Sequence, residues 1–249
     1  MAPFDWVVAH DPLGTFAWVV LAVMLAWIAF VEPWLGFVSH RRFLVALERQ
    51  PDARRRFYLQ WTIMLAVLGG VVLFAFAVVP GLNWSALGMR ADISRIDPMM
   101  IVVLVGGGMA GVLIAAVLAR RRSAPVPLVG NITALLPATV NERRYFILLS
   151  FAAGIFEEIV WRGMVVFAVY AVAPHAAIYW PLAISALTFG IVHVYQGARG
   201  VLATTYLGGV LCWLYLYSGS LWLPMVFHVL IDLRVAFVQP LRQQDPLAV

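Results

Sequence analysis

Residues 154–163 read GIFEEIVWRG and place two adjacent glutamates and an arginine inside a long apolar run. A charge near the centre of a bilayer costs about 2.5–3.5 kcal/mol by insertion scales. A chain that keeps Glu157, Glu158 and Arg162 in such a run must offset this cost, either through packing partners or through function. The stretch therefore directs attention to a membrane-spanning helix with a polar face.

The composition of the whole chain assigns it to the integral membrane proteins. Of its 249 residues, 63% are hydrophobic and 12% are charged, whereas soluble domains carry about 25% charged residues. The mean hydropathy is +0.92. The net charge of +5 does not indicate nucleic-acid binding, because the arginines lie in a few loops between apolar segments. The single cysteine, Cys212, excludes an internal disulfide and a multi-cysteine metal site.

Seven stretches are apolar and long enough to be membrane-spanning helices, which need about 20 residues each. We therefore predict an all-α fold, a polytopic transmembrane bundle of about seven spans. No internal repeat or separate soluble domain is evident, so residues 1–249 are expected to form one membrane domain. The predicted spans are residues 14–38, 58–80, 99–119, 145–171, 179–195, 200–218 and 221–238.

The arginines alternate between the two sides of this bundle. Loops predicted on one side contain 13 arginines and those on the other contain 2. The positive-inside rule then places the N-terminus outside and the C-terminus in the cytoplasm, and we expect a bacterial inner membrane. The basic loop at 40–57 is expected to lie on the anionic cytoplasmic leaflet. The small residues of GGGMAG at 106–111 predict close packing against another helix.

Glu158 and Arg162 are four residues apart, so they share a helix face in the favourable acid-before-base order. They are predicted to form an ion pair within their helix. Glu157 points about 100° away from Glu158 in an α-helix and has no evident partner there. A carboxylate in this position is a candidate general base.

The remaining polar residues within spans lie on two other helices. His193 alone has a structural explanation, as an interfacial histidine bonded to a carbonyl. His228 and Asp232 share a helix face and could form a buried hydrogen bond, while Arg234 lies on another face. Residues from three spans can nevertheless converge on one cavity of a bundle, which predicts a site formed with Glu157.

Three motifs in this order resemble the CPBP family of intramembrane proteases, which includes the CaaX-processing Rce1 endopeptidases and bacterial Abi-type proteins. The resemblance covers about residues 140–235, and the motifs are specific only in combination. They are two glutamates followed by arginine (Glu157, Glu158 and Arg162), Phe-x-x-x-His (Phe189 and His193) and His-x-x-x-Asn/Asp (His228 and Asp232).

The resemblance implies a glutamate-dependent intramembrane endopeptidase. In the implied mechanism Glu157, helped by His193, activates a water, and His228 with Asp232 stabilises the oxyanion. The implied substrate is a peptide or protein in the bilayer, such as a C-terminal sorting tail of a membrane-associated protein or a lipidated protein. The implied supporting residues are Glu158, Arg162 and Phe189.

The third motif ends in Asn in Rce1-type members, whereas this chain has Asp232, which donates a hydrogen bond only when protonated. Asp232 could act as a neutral donor, orient His228 or ligate a metal with it. The chain has no HExxH motif, and the use of a divalent metal stays open. If a divalent metal is used, the candidate ligands are His193, His228 and Asp232.

Two other functions stay open from the residues. A non-proteolytic immunity or scaffold protein of the same fold would bind a peptide without cleaving it, but all three motifs are intact. A proton-coupled transporter would relay protons through Glu157, His193 and His228. The chain shows no repeat symmetry between its halves, which disfavours a transporter.

Overall fold

The computed structural model describes residues 13–89, 98–121, 130 and 132–237. All regular secondary structure in this part of the chain is helical, which confirms the predicted all-α bundle. The α-helices are α1 (Thr15–Ala26), α2 (Glu32–Leu47), α3 (Ala53–Val78), α4 (Pro98–Arg121), α5 (Val140–Ala152), α6 (Val165–Val172), α7 (Tyr179–Val192), α8 (Gly197–Ser218) and α9 (Trp222–Ala236).

Two pairs of these helices are continuous through π-helical segments. The segment Trp27–Val31 joins α1 to α2, and the segments Ala153–Glu157 and Ile159–Met164 join α5 to α6. The described residues thus form seven continuous helices, which correspond to the seven predicted spans.

Three of the described helices have the length of a membrane span, and the bundle has an apolar surface. Within the described residues, Thr15–Arg49, Ala53–Val78 and Val194–Ser218 are each long and apolar enough to cross a bilayer. Large apolar side chains point outward from the bundle, for example Phe30 (76% exposed) and Leu202 (71% exposed). Such exposure is unfavourable in water and expected where the surface contacts lipid.

The prediction of a loop at 40–57 is wrong for most of its length. Helix α2 continues to Leu47 and α3 begins at Ala53, so a short turn at residues 48–52 connects them. The two helix ends pack through Phe43 and Phe57, whose ring centroids lie 4.5 Å apart. The arginines of this region therefore belong mainly to helix ends.

Helix α7 ends earlier than the predicted span 179–195. Its 14 residues, Tyr179–Val192, extend about 21 Å, which is shorter than a hydrocarbon core of about 30 Å. His193 follows this end directly, as the C-cap residue of the helix.

The small residues at 106–111 allow α4 to contact α9, as predicted. A Cβ on Gly108 would lie 2.9 Å from Cδ1 of Leu230, closer than side chains pack in proteins. Helix α9 is thereby held from the α4 side.

Residues 132–139 close one end of the bundle before α5 begins. The Tyr58 hydroxyl donates to the carbonyl of Leu135 at 2.6 Å, and Arg54 Nε donates to the carbonyl of Ala134 at 3.0 Å. Thr139 and Glu142 then form a capping box that starts α5. These contacts attach the connection to the first turns of α3.

The predicted orientation can be tested with single cysteines at exposed sites in a Cys212→Ala background. Gln50, in the α2–α3 turn, should react with a membrane-impermeant thiol reagent only after the membrane is opened when it is replaced by cysteine. Ser85, beyond α3, should react in intact cells when it is replaced in the same way. The measurement is labelling of intact and permeabilised cells, and the reverse pattern would overturn the orientation.

Candidate active site

A cavity of about 470 Å³ lies within the bundle, between α2, α3, α5, α7, α8 and α9. Its lining includes all four residues predicted to be catalytic, namely Glu157, His193, His228 and Asp232. The structure thus brings the three sequence motifs to one place.

The π-helical segments determine how the two adjacent glutamates are presented. One π segment ends at Glu157 and the next begins at Ile159, immediately after Glu158. Such segments widen the helix, change its register and are frequent at functional sites. A carbonyl in the second segment, that of Trp161, accepts a hydrogen bond of 2.8 Å from the Ser185 hydroxyl of α7.

His228 lies at the centre of the polar cluster. Its Nδ1 is 2.7 Å from Oε1 of Glu158, and because a carboxylate paired with arginine accepts, Nδ1 donates. Its Nε2 lies 3.8 Å from Oε2 of Glu157 and 3.9 Å from Oδ2 of Asp232. Glu158 therefore orients the imidazole so that Nε2 lies between two carboxylates of the cavity wall.

The predicted ion pair within the helix is confirmed and extends further than predicted. Arg162 Nη1 donates to Oε1 of Glu158 at 2.9 Å, and both side chains are fully buried. Arg162 Nη2 donates to the carbonyl of Gly208 in α8 at 3.1 Å. The guanidinium thus joins α8 to the helix that carries the glutamates.

The Phe189 ring separates the cavity from the guanidinium. Arg162 Cζ lies 4.3 Å from the centroid of this ring, in a cation–π contact. The ring centroid is 4.8 Å from that of His193 and 5.9 Å from that of His228. Phe189 therefore packs against both histidines. This contact explains why a phenylalanine suits this position of the second motif.

His193 is oriented by the backbone of its own helix. Its Nδ1 lies 2.7 Å from the carbonyl of Phe189, which can only accept, so Nδ1 donates. In the neutral ring Nε2 then carries a lone pair. His193 is hydrogen-bonded to a carbonyl, as expected for a histidine with a purely structural role. It also lines the cavity, as expected for a residue of the site.

Gly154 permits the contact between α9 and the glutamate helix. A Cβ at this position would lie 2.7 Å from the backbone nitrogen and 3.0 Å from Cα of Val229. Distances this short to backbone atoms require one helix to move. Because Val229 follows His228, the glycine sets how closely His228 approaches Glu158.

Among the cavity residues that the sequence prediction missed are Glu32 and Tyr195. Glu32 lies inside the first predicted span, so an acidic residue in an apolar run was a signal available in the sequence. Tyr195 gave no such signal, because an aromatic residue near the end of a span is common.

The candidate metal ligands are not grouped as a metal centre. Within the described residues, no three His, Cys, Asp or Glu side chains are arranged to hold a metal ion. Nδ1 of His228 is occupied by Glu158, so a ligand role would fall to its Nε2. Arg234 also lines the cavity, near Asp232 in sequence.

The fold and the site define a class of protein, a polytopic helical membrane protein with a carboxylate–histidine site enclosed in its bundle. A family model described as type II CAAX prenyl endopeptidase Rce1-like matches residues 139–234, from the start of α5 almost to the end of α9. By this match residues 139–234, less than half of the chain, are similar to the Rce1-like CAAX prenyl endopeptidases. No curated protein and no solved structure matches the chain.

The role of Gly154 can be tested by replacing it with alanine. The added Cβ should push α9 away and overpack the contact, at a cost of about 1–3 kcal/mol. The midpoint of thermal unfolding should fall by several degrees. Gly70→Ala is the matched control, since a Cβ there meets nothing within 4 Å. Equal unfolding midpoints for the two variants would contradict this account of the helix contact.

Proposed function

We propose that this protein is a glutamate-dependent endopeptidase that hydrolyses a peptide bond within the cavity. The similarity of residues 139–234 to a protease family supports peptidase activity in general. The observation that carries the proposal is the division of labour among the motif residues. Glu157, His193, His228 and Asp232 line the cavity, whereas Glu158 and Arg162 are fully buried beside it and hold the others in place.

Glu157 is the proposed general base. In the described part of the chain, its Oε2 is buried and has no hydrogen-bond partner, so it keeps its lone pairs for a water admitted to the cavity. The lone pair on Nε2 of His193 can accept a second hydrogen bond from the same water. As the water oxygen attacks the carbonyl carbon, its proton passes to Glu157.

His228 is the proposed donor to the oxyanion. Its Nδ1–H is directed to Glu158, so a proton on Nε2 makes the ring an imidazolium, which the carboxylates of Glu158 and Glu157 stabilise. That Nε2–H donates to the oxygen that becomes negative, in a site where preorganised donors contribute several kcal/mol. The intermediate then expels the amine, which takes the proton from Glu157.

The proposed substrate is a peptide segment or C-terminal tail of a membrane-associated protein. Apolar and aromatic side chains form much of the cavity wall, including Trp61, Leu65 and Phe146. Ile132, Leu135 and Leu136 also contribute to this wall, at the end of the bundle predicted to face the cytoplasm. The proposed setting is the inner membrane of a bacterium, with the N-terminus outside and the C-terminus in the cytoplasm.

The base assignment predicts the behaviour of Glu157→Gln. The amide keeps the size of the side chain but cannot accept the proton, so the cleavage rate should fall by at least about 100-fold. Cleavage is measured by mass spectrometry of a peptide library digested by the purified protein in lipid nanodiscs. Near-normal cleavage would remove Glu157 from this role.

The variant Glu158→Gln tests the structural role of the adjacent glutamate. It leaves Arg162 and His228 without their anion, and breaking a buried charge pair costs about 3–5 kcal/mol. Its thermal unfolding midpoint should fall clearly, whereas that of Glu157→Gln should change little. The opposite ranking of the two midpoints would exchange the assigned roles.

Asp232→Asn separates the roles left open for that residue. If Asp232 acts as a neutral hydrogen-bond donor, asparagine replaces it with an amide donor of similar shape. Substantial activity should then remain. Activity should extend to higher pH, because an amide does not ionise as a carboxylic acid does. The measurement is a pH–rate profile of both forms, with and without a chelator.

A metal-ligating Asp232 gives a different result in the same experiment. The amide is a weaker, neutral ligand, so activity and metal content would fall together and added metal would restore part of both. A chelator-sensitive wild type combined with an inactive Asn variant would rule out the donor role.

A further inference from the structure

Glu32 is a cavity carboxylate for which the proposed mechanism has no use. It is the first residue of α2, it is only 5% exposed, and it lines the same cavity as His193. It lies outside residues 139–234, the segment matched by the family model. A buried ionisable residue inside a membrane helix suggests a functional site.

The local structure directs Glu32 toward the site. It follows the π segment Trp27–Val31, just as Glu157 ends a π segment. Gly36 lies four residues later on the same face of the helix. A Cβ added at Gly36 would lie 3.4 Å from the carbonyl oxygen of Val192. This face of α2 therefore packs against the C-terminal end of α7, and His193 is the residue that follows this end.

The contacts of Glu32 leave its charge without a counterion. Its Oε2 accepts a hydrogen bond of 3.1 Å from the indole Nε1 of Trp27. Among the described residues, no arginine or histidine lies within ion-pair distance of Glu32, whereas Glu158 has Arg162. An indole N–H does not neutralise a carboxylate, and a buried anion needs a cation to offset its desolvation.

The cavity as a whole also favours a cationic ligand. Its lining contains three carboxylates, Glu32, Glu157 and Asp232, against two cationic groups, Arg234 and the proposed imidazolium of His228. A cleft with walls of low polarity focuses the field of such charges and raises the local concentration of the opposite charge. Glu157 and Asp232 both face His228, so Glu32 is the carboxylate left for a ligand.

We propose that Glu32 is a specificity residue that binds a cationic side chain, lysine or arginine, of the peptide substrate. This inference rests on the proposed peptidase function, since it assigns one side chain of that substrate to one end of the cavity. Glu32 does not act on the scissile bond. It selects and positions the peptide whose carbonyl lies near Glu157.

The test uses N-acetylated apolar hexapeptides in which one lysine moves through the positions, each matched by a peptide with norleucine in its place. Norleucine keeps the alkyl stem and lacks the ammonium group. Binding is measured by fluorescence anisotropy with protein in zwitterionic nanodiscs, which do not attract cationic peptides by themselves. Cleavage of the same peptides is followed in parallel by mass spectrometry.

The wild type should prefer lysine over norleucine at one or two adjacent positions by about tenfold, as expected for a charge-assisted hydrogen bond. Glu32→Gln should bring this ratio close to one. The amide oxygen still accepts from Trp27, so the packing role of the side chain is preserved. Glu48→Gln is the matched control, because it removes the same charge from an exposed position after α2 and should keep the wild-type ratio.

Each outcome bears on one claim. Equal binding of the two peptides to the wild type, no binding of either, or a lysine preference that survives Glu32→Gln overturns the role of Glu32. A wild type without a lysine preference overturns the role of Glu32 even if the Gln variant fails to fold. A lysine preference in binding without any cleavage keeps the subsite and contradicts the peptidase proposal. Cleavage without a charge preference does the reverse.

Discussion

One carboxylate oxygen, Oε1 of Glu158, holds the centre of this structure together. It accepts from Arg162 at 2.9 Å and from Nδ1 of His228 at 2.7 Å, so an ion pair within one helix also binds α9. A buried anion in a bilayer is tolerated only with such partners. Through Arg162 the network reaches Gly208 of α8 and the ring of Phe189 in α7. Four helices are thereby fixed around one charge pair.

Irregular local structure makes this network possible. The π segments on either side of Glu158 alter the register of its helix, which lets both adjacent glutamates approach the imidazole of His228. Gly154 removes the Cβ that would meet the backbone of Val229, so α9 can come close enough for that contact.

The two parts of the chain contribute differently to the cavity. The Rce1-like segment, residues 139–234, supplies the carboxylates and histidines of the proposed reaction. The preceding helices supply walls, through residues such as Tyr58 and Trp61 of α3 and Glu32 of α2. One segment therefore carries the reactive groups and the other shapes the binding space. This arrangement is expected where substrate specificity can change without a change in the chemistry.

The amino-acid sequence by itself determined the class of fold, the approximate positions of seven helices and the Glu158–Arg162 pair, because apolar length and i,i+4 spacing are local properties. Through its motifs it also identified four polar residues that line the cavity, Glu157, His193, His228 and Asp232. Tertiary structure decided the contact between Glu158 and His228, which are 70 residues apart. It also decided the place of Glu32 in the cavity and the early end of α7. These depend on π-helical register and on how closely helices pack, neither of which follows from hydropathy.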